Sequence, residues 1–133
     1  MGKNGAILIV DDEAIILMSL RQELRAKYGG RFRLESALNA AEANAIIEGL
    51  AAEGVEVILV ISDWLMPGVK GDEFLADVKR RYPGIRCIIV SGHIDMQAIA
   101  AVRESLALDA FIQKPWKRGE LLAAVDACVA STS

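Results

Sequence analysis

Ala6-Ile7-Leu8-Ile9-Val10-Asp11-Asp12-Glu13 is the stretch that decides the fold class. Five consecutive apolar residues make a short strand with no polar face, so both of its sides must be covered. That condition is met by a parallel sheet sandwiched between layers of helix. Val57-Ile58-Leu59-Val60-Ile61 and Cys87-Ile88-Ile89-Val90 repeat the pattern, and Ala110-Phe111-Ile112 is a shorter version of it. Arg31 to Ala37 alternates instead, which suits an edge strand with one face in water.

Helical periodicity fills the gaps between these runs. Ile16, Leu20 and Leu24 recur every four residues. Asn39 with Glu42 forms a capping-box-like start for a helix carrying Ala43, Ile46, Ile47 and Leu50. Phe74, Leu75 and Val78 make a third stripe that ends at Pro83-Gly84, and Asp95 is placed to cap a fourth with Ile99, Val102 and Leu106 inward. Leu121, Leu122, Val125, Cys128 and Val129 make the fifth. A strand–helix unit repeated five times, with no internal linker, predicts a three-layer α/β/α sandwich.

Composition agrees. The 133 residues are 53% apolar and 25% charged, the balance of a folded chain and not of a disordered or low-complexity one. The length fits one domain, read as residues 1–133 with a core of about 5–130. No apolar run approaches the roughly 20 residues of a membrane-spanning helix. Fifteen Lys+Arg against eighteen Asp+Glu, a net charge of −3, argue against general nucleic-acid affinity. Residues Met1 to Ala6 lack the apolar core of a signal peptide, so a cytoplasmic protein is expected. Cys87 and Cys128 each sit in an apolar pattern and are expected as buried thiols. A lone histidine, His93, leaves almost no ligands for zinc.

In open parallel sheets ligands bind outside the carboxyl ends of the strands. Asp11, Asp12 and Glu13 follow the first strand, and Asp63 follows the third after Ser62. Ser91-Gly92 follow the fourth, and Lys114-Pro115 follow the fifth after Gln113. Taken singly, Asp11 or Asp12 reads equally well as a helix cap, Asp63 and Ser91-Gly92 as turn residues, and Lys114 as surface charge. Their co-occurrence on one edge favours a site. Clustered carboxylates repel one another, and a hard cation such as Mg²⁺ with oxygen ligands relieves that. A cation beside a lysine suits a phosphoryl group, and a carboxylate can itself act as its nucleophile. The Ser91 hydroxyl is then available to donate to a phosphoryl oxygen.

These residues resemble the receiver domain of two-component response regulators, over nearly the whole chain. The motifs are Ile9-Val10-Asp11-Asp12-Glu13, Ser62-Asp63-Trp64-Leu65-Met66-Pro67-Gly68 with Gly71, Val90-Ser91-Gly92, and Phe111-Ile112-Gln113-Lys114-Pro115. The resemblance implies a flavodoxin-like (βα)5 fold with a five-stranded parallel sheet in the order 2-1-3-4-5. It implies Asp63 as phosphoacceptor, with Asp12, Asp63 and the Leu65 carbonyl binding Mg²⁺ and Asp11 helping through water. Lys114 would contact the phosphoryl group across a cis bond to Pro115, and Ser91 and Phe111 would be the switch pair. The implied donor is a histidine kinase or histidine phosphotransfer protein. The responding face would be helix 4, strand 5 and helix 5, acting on a downstream target that the sequence does not name, and a homodimer through that face is compatible.

The chain departs from the family pattern at several positions. Phe111 replaces a commoner tyrosine, and Ala107 stands where a glycine often ends the fourth helix. Trp64 is expected to border the acidic pocket, His93 to be a loop residue near it, and Trp116 to be either core or, preferably, a partner contact. A phosphohydrolase of the haloacid-dehalogenase type wants an aspartate where Leu65 stands, and a flavin phosphate would be repelled by Asp11-Asp12-Glu13. A silent scaffold is disfavoured by the complete residue set, so the chain is read as a signalling module with only self-catalysed transfer and dephosphorylation. Leu65 has no amide to hold an attacking water, which implies slow autodephosphorylation. A Leu65→Asn variant is expected to lose its phosphoryl group faster than the wild type, measured as the decay of the phosphorylated mass.

Overall fold

The computed structural model describes residues 5–66, 68–92 and 96–130. In chain order the elements are β1 (Ala6–Val10), α1 (Ala14–Tyr28), β2 (Arg33–Ala37), α2 (Ala40–Ala52), β3 (Val57–Ser62), α3 (Gly71–Arg81), β4 (Arg86–Ser91), α4 (Met96–Leu106), β5 (Ala110–Gln113) and α5 (Arg118–Ala130). The five strands form one sheet in the order β2-β1-β3-β4-β5, and each neighbouring pair is parallel. This is the order the family resemblance implies.

The uninterrupted apolar runs are explained by two cores. Along β1, Ala6, Leu8 and Val10 enter the core shared with α2, α3 and α4, while Ile7 and Ile9 enter the one shared with α1 and α5. The period of two thus sends alternate side chains to opposite layers, and all five residues of the strand are buried. The same division separates the cysteines. Cys87 belongs to the first core and Cys128 to the second, so the sheet stands between two buried thiols that are not joined in a disulfide. Burial pushes the thiol of Cys87 up to about 12 and that of Cys128 up to about 11, which keeps both protonated at neutral pH.

Local chemistry sets the boundaries. Asn39 caps α2 by accepting from the Glu42 N–H at 2.8 Å, while Glu42 reaches back to the Leu38 N–H. The alternating segment read as Arg31 to Ala37 enters the sheet only at Arg33, because the N–H groups of Arg31 and Phe32 both donate to the Tyr28 carbonyl. Its outer strand is not cleanly wet on one side: Arg33 to Ser36 are all half-buried, and Arg33 pairs with Glu35 and Glu53. The proposed cap Asp95 lies outside the described residues. On the α1–α5 side, Asp126 accepts from the Tyr28 hydroxyl and pairs with Lys27, which together hold its carboxyl below the ordinary range.

The substitution of alanine for glycine after α4 has a backbone consequence. Ala107 has φ 53°, in the left-handed region, and the Leu108 N–H donates to the Arg103 carbonyl at 3.3 Å. This is a helix C-terminal motif that glycine usually occupies because it has no Cβ to clash. Ala107→Gly is expected to raise stability by roughly 0.5–1 kcal/mol, relief of strain outweighing the entropy glycine adds to the unfolded chain. The denaturant midpoint measures this directly.

Candidate functional site

The strand order reverses direction between β1 and β3, and the crevice of an open α/β sheet forms there, beyond the strand carboxyl ends. Asp11 follows β1 directly and is 1% exposed, and Asp63 follows β3 and is 7% exposed. Ser91, the last residue of β4, is equally sequestered, and Lys114 follows β5. The Lys114 ammonium donates to Asp11 Oδ2 at 2.8 Å and to Asp63 Oδ2 at 3.3 Å. One charged atom from the end of the chain therefore links the ends of β1 and β3. The Lys114 backbone N–H donates to the Ser91 carbonyl, which fixes the loop after β5 against β4. The peptide bond from Lys114 to Pro115 is cis, as the resemblance implies.

The other oxygens of the two aspartates are held by backbone. Asp11 Oδ1 accepts from the Glu13 N–H at 2.9 Å, and Asp63 Oδ1 from the Trp64 N–H at 2.7 Å. Burial raises the Asp11 carboxyl above its ordinary value despite the opposing effect of Lys114. Burial by itself pulls Lys114 down, but hydrogen bonds and charge from Asp11 and Asp63 more than reverse this and leave its ammonium raised. Lys114 is therefore a fixed cation at physiological pH.

Asp12 and Glu13 are exposed beside this pair, and one carboxylate oxygen from each of Asp11, Asp12, Glu13 and Asp63 falls within 4.8 Å of the others. Four hard oxygen donors at that spacing suit Mg²⁺ better than any soft or borderline ion. Glu13 is the member that strand-end reasoning left off the ligand set. Its carboxylate lies 3.8 Å from Lys114 Nζ, and its adjacency to Asp12 was the available signal. Glu13 is also the N-cap of α1, without a side-chain cap hydrogen bond, so neither aspartate serves as the simple cap considered from sequence.

Around the acidic centre, Trp64 is 9% exposed and its ring meets Phe111 edge-on, with centroids 6.1 Å apart. Phe111 is half-buried against the α2–α3–α4 core. Leu65 is 43% exposed. Trp116 takes the core role of the two considered for it: it packs on the α1–α5 core, and its indole N–H donates to Glu23 of α1 at 2.6 Å. His93 and Pro67 lie outside the described residues.

These observations agree with the comparisons. The family model for the response regulator receiver domain matches residues 7–126, and the chain belongs to that family. It is a receiver domain of the two-component type, a signalling module, and such domains bind Mg²⁺ at an acidic pocket and interact with histidine kinases. Among its relatives, the hydrogenase transcriptional regulatory protein HoxA of Cupriavidus necator is 36% identical over 120 residues, covering 90% of this chain and 23% of HoxA. The DNA-binding transcriptional regulator NtrC of Escherichia coli K12 is 31% identical over 127 residues, covering 96% of this chain and 25% of NtrC. The chain thus spans about a quarter of the length of these curated relatives. The signal receiver domain of an HD domain-containing protein from Pseudomonas fluorescens Pf-5 superposes with a TM-score of 0.83 at 30% identity, covering 97% of both chains. Among the described residues no helix is long and apolar enough to cross a membrane.

Gly71 is a further residue that positions the site. A Cβ there would lie 2.0 Å from the Asp63 carbonyl oxygen, and its N–H donates to the Trp64 carbonyl at 2.6 Å. Gly71→Ala is expected to lower stability by roughly 1–3 kcal/mol, since main chain and not a flexible side chain must yield. Gly49→Ala, in α2 with nothing within 4 Å of the new Cβ, is the control and should leave stability equal or higher. Thermal or chemical unfolding of both variants makes the comparison.

Proposed function

We propose that this chain is a phosphorylation-dependent switch whose phosphoacceptor is Asp63. The observation that carries the reading is the Lys114 ammonium within 3.3 Å of both Asp11 and Asp63, beside the Asp12 and Glu13 carboxylates. An Asp63 oxygen attacks the phosphorus of a phosphohistidine donor, a P–O bond forms, and the P–N bond to the departing imidazole breaks. Lys114 answers the negative charge that the incoming phosphoryl group brings into a buried site. Asp11, Asp12 and Asp63, with the Leu65 carbonyl, are the residues that would hold Mg²⁺, and the exposed Glu13 lies close enough to assist through water. When bound, the ion supplies positive charge opposite the phosphoryl oxygens.

Ser91 and Phe111 carry the response in this reading. The Ser91 hydroxyl moves to donate to a phosphoryl oxygen, and the Phe111 ring follows on β5, changing the α4–β5–α5 face that a target or a second copy would read. Phe111 has no hydroxyl, so the signal is one of shape and apolar contact. The donor is a sensor histidine kinase or a histidine phosphotransfer protein, the setting is the cytoplasm, and the only chemistry is transfer to Asp63 and its later hydrolysis.

Intact mass after incubation with acetyl phosphate tests this. A single phosphoryl adduct is expected that requires Mg²⁺ and is missing from Asp63→Asn. Lys114→Ala is expected to slow its formation by about tenfold or more, the order of effect of removing one preorganised charge at a reacting centre. An adduct that persists in Asp63→Asn would sink the assignment. Trp64, buried against the acceptor, reports Mg²⁺ binding by fluorescence in the same samples.

A further inference from the structure

Residues 21–33, Arg21-Gln22-Glu23-Leu24-Arg25-Ala26-Lys27-Tyr28-Gly29-Gly30-Arg31-Phe32-Arg33, carry five cations and one acid in a chain of net charge −3. The fold lays this segment along the outer edge of the sheet, where β2 has β1 as its one strand neighbour. The second half of α1 and β2 wall a groove of about 470 Å³, with Phe32 and Leu34 in its lining and Arg21, Arg25, Arg33 and Glu35 around them. Arg33, Leu34 and Glu35 are consecutive, and successive strand residues face opposite ways, so the groove opens onto the edge of β2 as well as its face.

Most of these charges are already matched. Lys27 pairs with Asp126, the Arg31 guanidinium lies over the Phe32 ring, and Glu23 accepts from Trp116. Arg33 takes up the carboxylate of Glu35 at 3.1 Å and that of Glu53 at 3.5 Å. Arg21 and Arg25 remain, and among the described residues neither belongs to an ion pair. Arg21 Nη1 reaches the Ser36 hydroxyl only at 3.5 Å, and its Nε is buried with no hydrogen-bond partner. A buried donor left unmatched is costly, and an arriving acceptor would recover that cost.

We propose that this groove docks an extended acidic segment of a partner protein. Arg21 and Arg25 are four residues apart on α1, a rise of about 6 Å. Side chains two apart on an extended chain are about 6.7 Å apart, so carboxylates at alternate positions meet successive guanidiniums. Guanidinium and carboxylate pair through two parallel hydrogen bonds, which gives the match direction as well as charge. The edge of β2 offers main-chain groups to the same segment, in the manner of strand addition. None of the groove residues belongs to the acidic centre, so the inference stands apart from phosphoryl chemistry at Asp63.

The test is fluorescence anisotropy of a short fluorescein-labelled peptide alternating Glu and Thr, titrated with the full chain. Saturable binding is expected, weaker at high salt and absent for the same peptide with Gln in place of Glu. The double variant Arg21→Gln, Arg25→Gln should bind at least about tenfold more weakly, as expected for the loss of charge-assisted pairs. Asp63→Asn should bind like the wild type. Amide shift mapping on the wild-type protein guards against a misfolded variant: perturbations should centre on the second half of α1 and on β2. No binding, undiminished affinity in the double variant, or shifts centred elsewhere would overturn the proposal. So would saturation by inorganic phosphate alone that displaces the peptide, which would make the groove a small-anion site.

Discussion

The Lys114 ammonium, 2.8 Å from Asp11 and 3.3 Å from Asp63, is the contact on which the carboxyl edge of this molecule depends. Two nearly buried carboxylates side by side would repel each other and resist ionisation, and one half-buried ammonium between them offsets both effects. It does so only because β5 lies at the far end of the sheet with its following loop turned back over β4. The backbone bond from Lys114 to the Ser91 carbonyl holds that turn. The charge arrangement and the parallel topology are therefore one constraint seen at two scales. A sheet of different order would leave the lysine far from the aspartates, and two unpaired carboxylates would destabilise the fold they now complete.

The surrounding structure places rigid backbone where the chemistry needs it. The Asp63 carboxylate is held by the Trp64 N–H and the Lys114 ammonium, while its main chain lies so close to Gly71 that no side chain fits between them. Trp64 itself packs edge-on against Phe111, so the residue after the acceptor touches the aromatic of β5 directly. Electrostatic sites gain from groups that are already oriented before the substrate arrives, and this one is oriented by main-chain N–H groups of the segments that follow β1 and β3. Where the fold tolerates strain, as at Ala107, it lies at the end of α4 and not in the acidic centre.

Much of this was legible in local pattern. The unbroken runs at β1, β3 and β4 could be read as doubly covered strands because the period of two exposes no polar face. The strand-end residues Asp11, Asp63, Ser91 and Lys114 could then be placed on one edge by topology alone. What was less legible had a common cause. Glu13 joins the acidic cluster because α1 begins immediately beyond it, a matter of turn geometry. The strand read from Arg31 starts at Arg33 because two N–H groups are used to close α1, and Trp116, packed on the α1–α5 core, reaches Glu23 only because the fold brings the segment before α5 against α1.

The amino-acid sequence by itself determined the layered α/β architecture, the helix cap at Asn39, the burial of both cysteines and the set of polar residues at the strand ends. Each of these follows from spacing within a dozen residues, where propensity and hydrophobic period act. Only the tertiary structure decided the distances that join Lys114 to Asp11 and Asp63, the separation of Cys87 from Cys128 by the sheet, and the pairing that leaves Arg21 and Arg25 unmatched beside β2. Those features bring together residues as many as 103 positions apart. Their geometry is set by strand register and by which helix covers which face, and no local pattern encodes either.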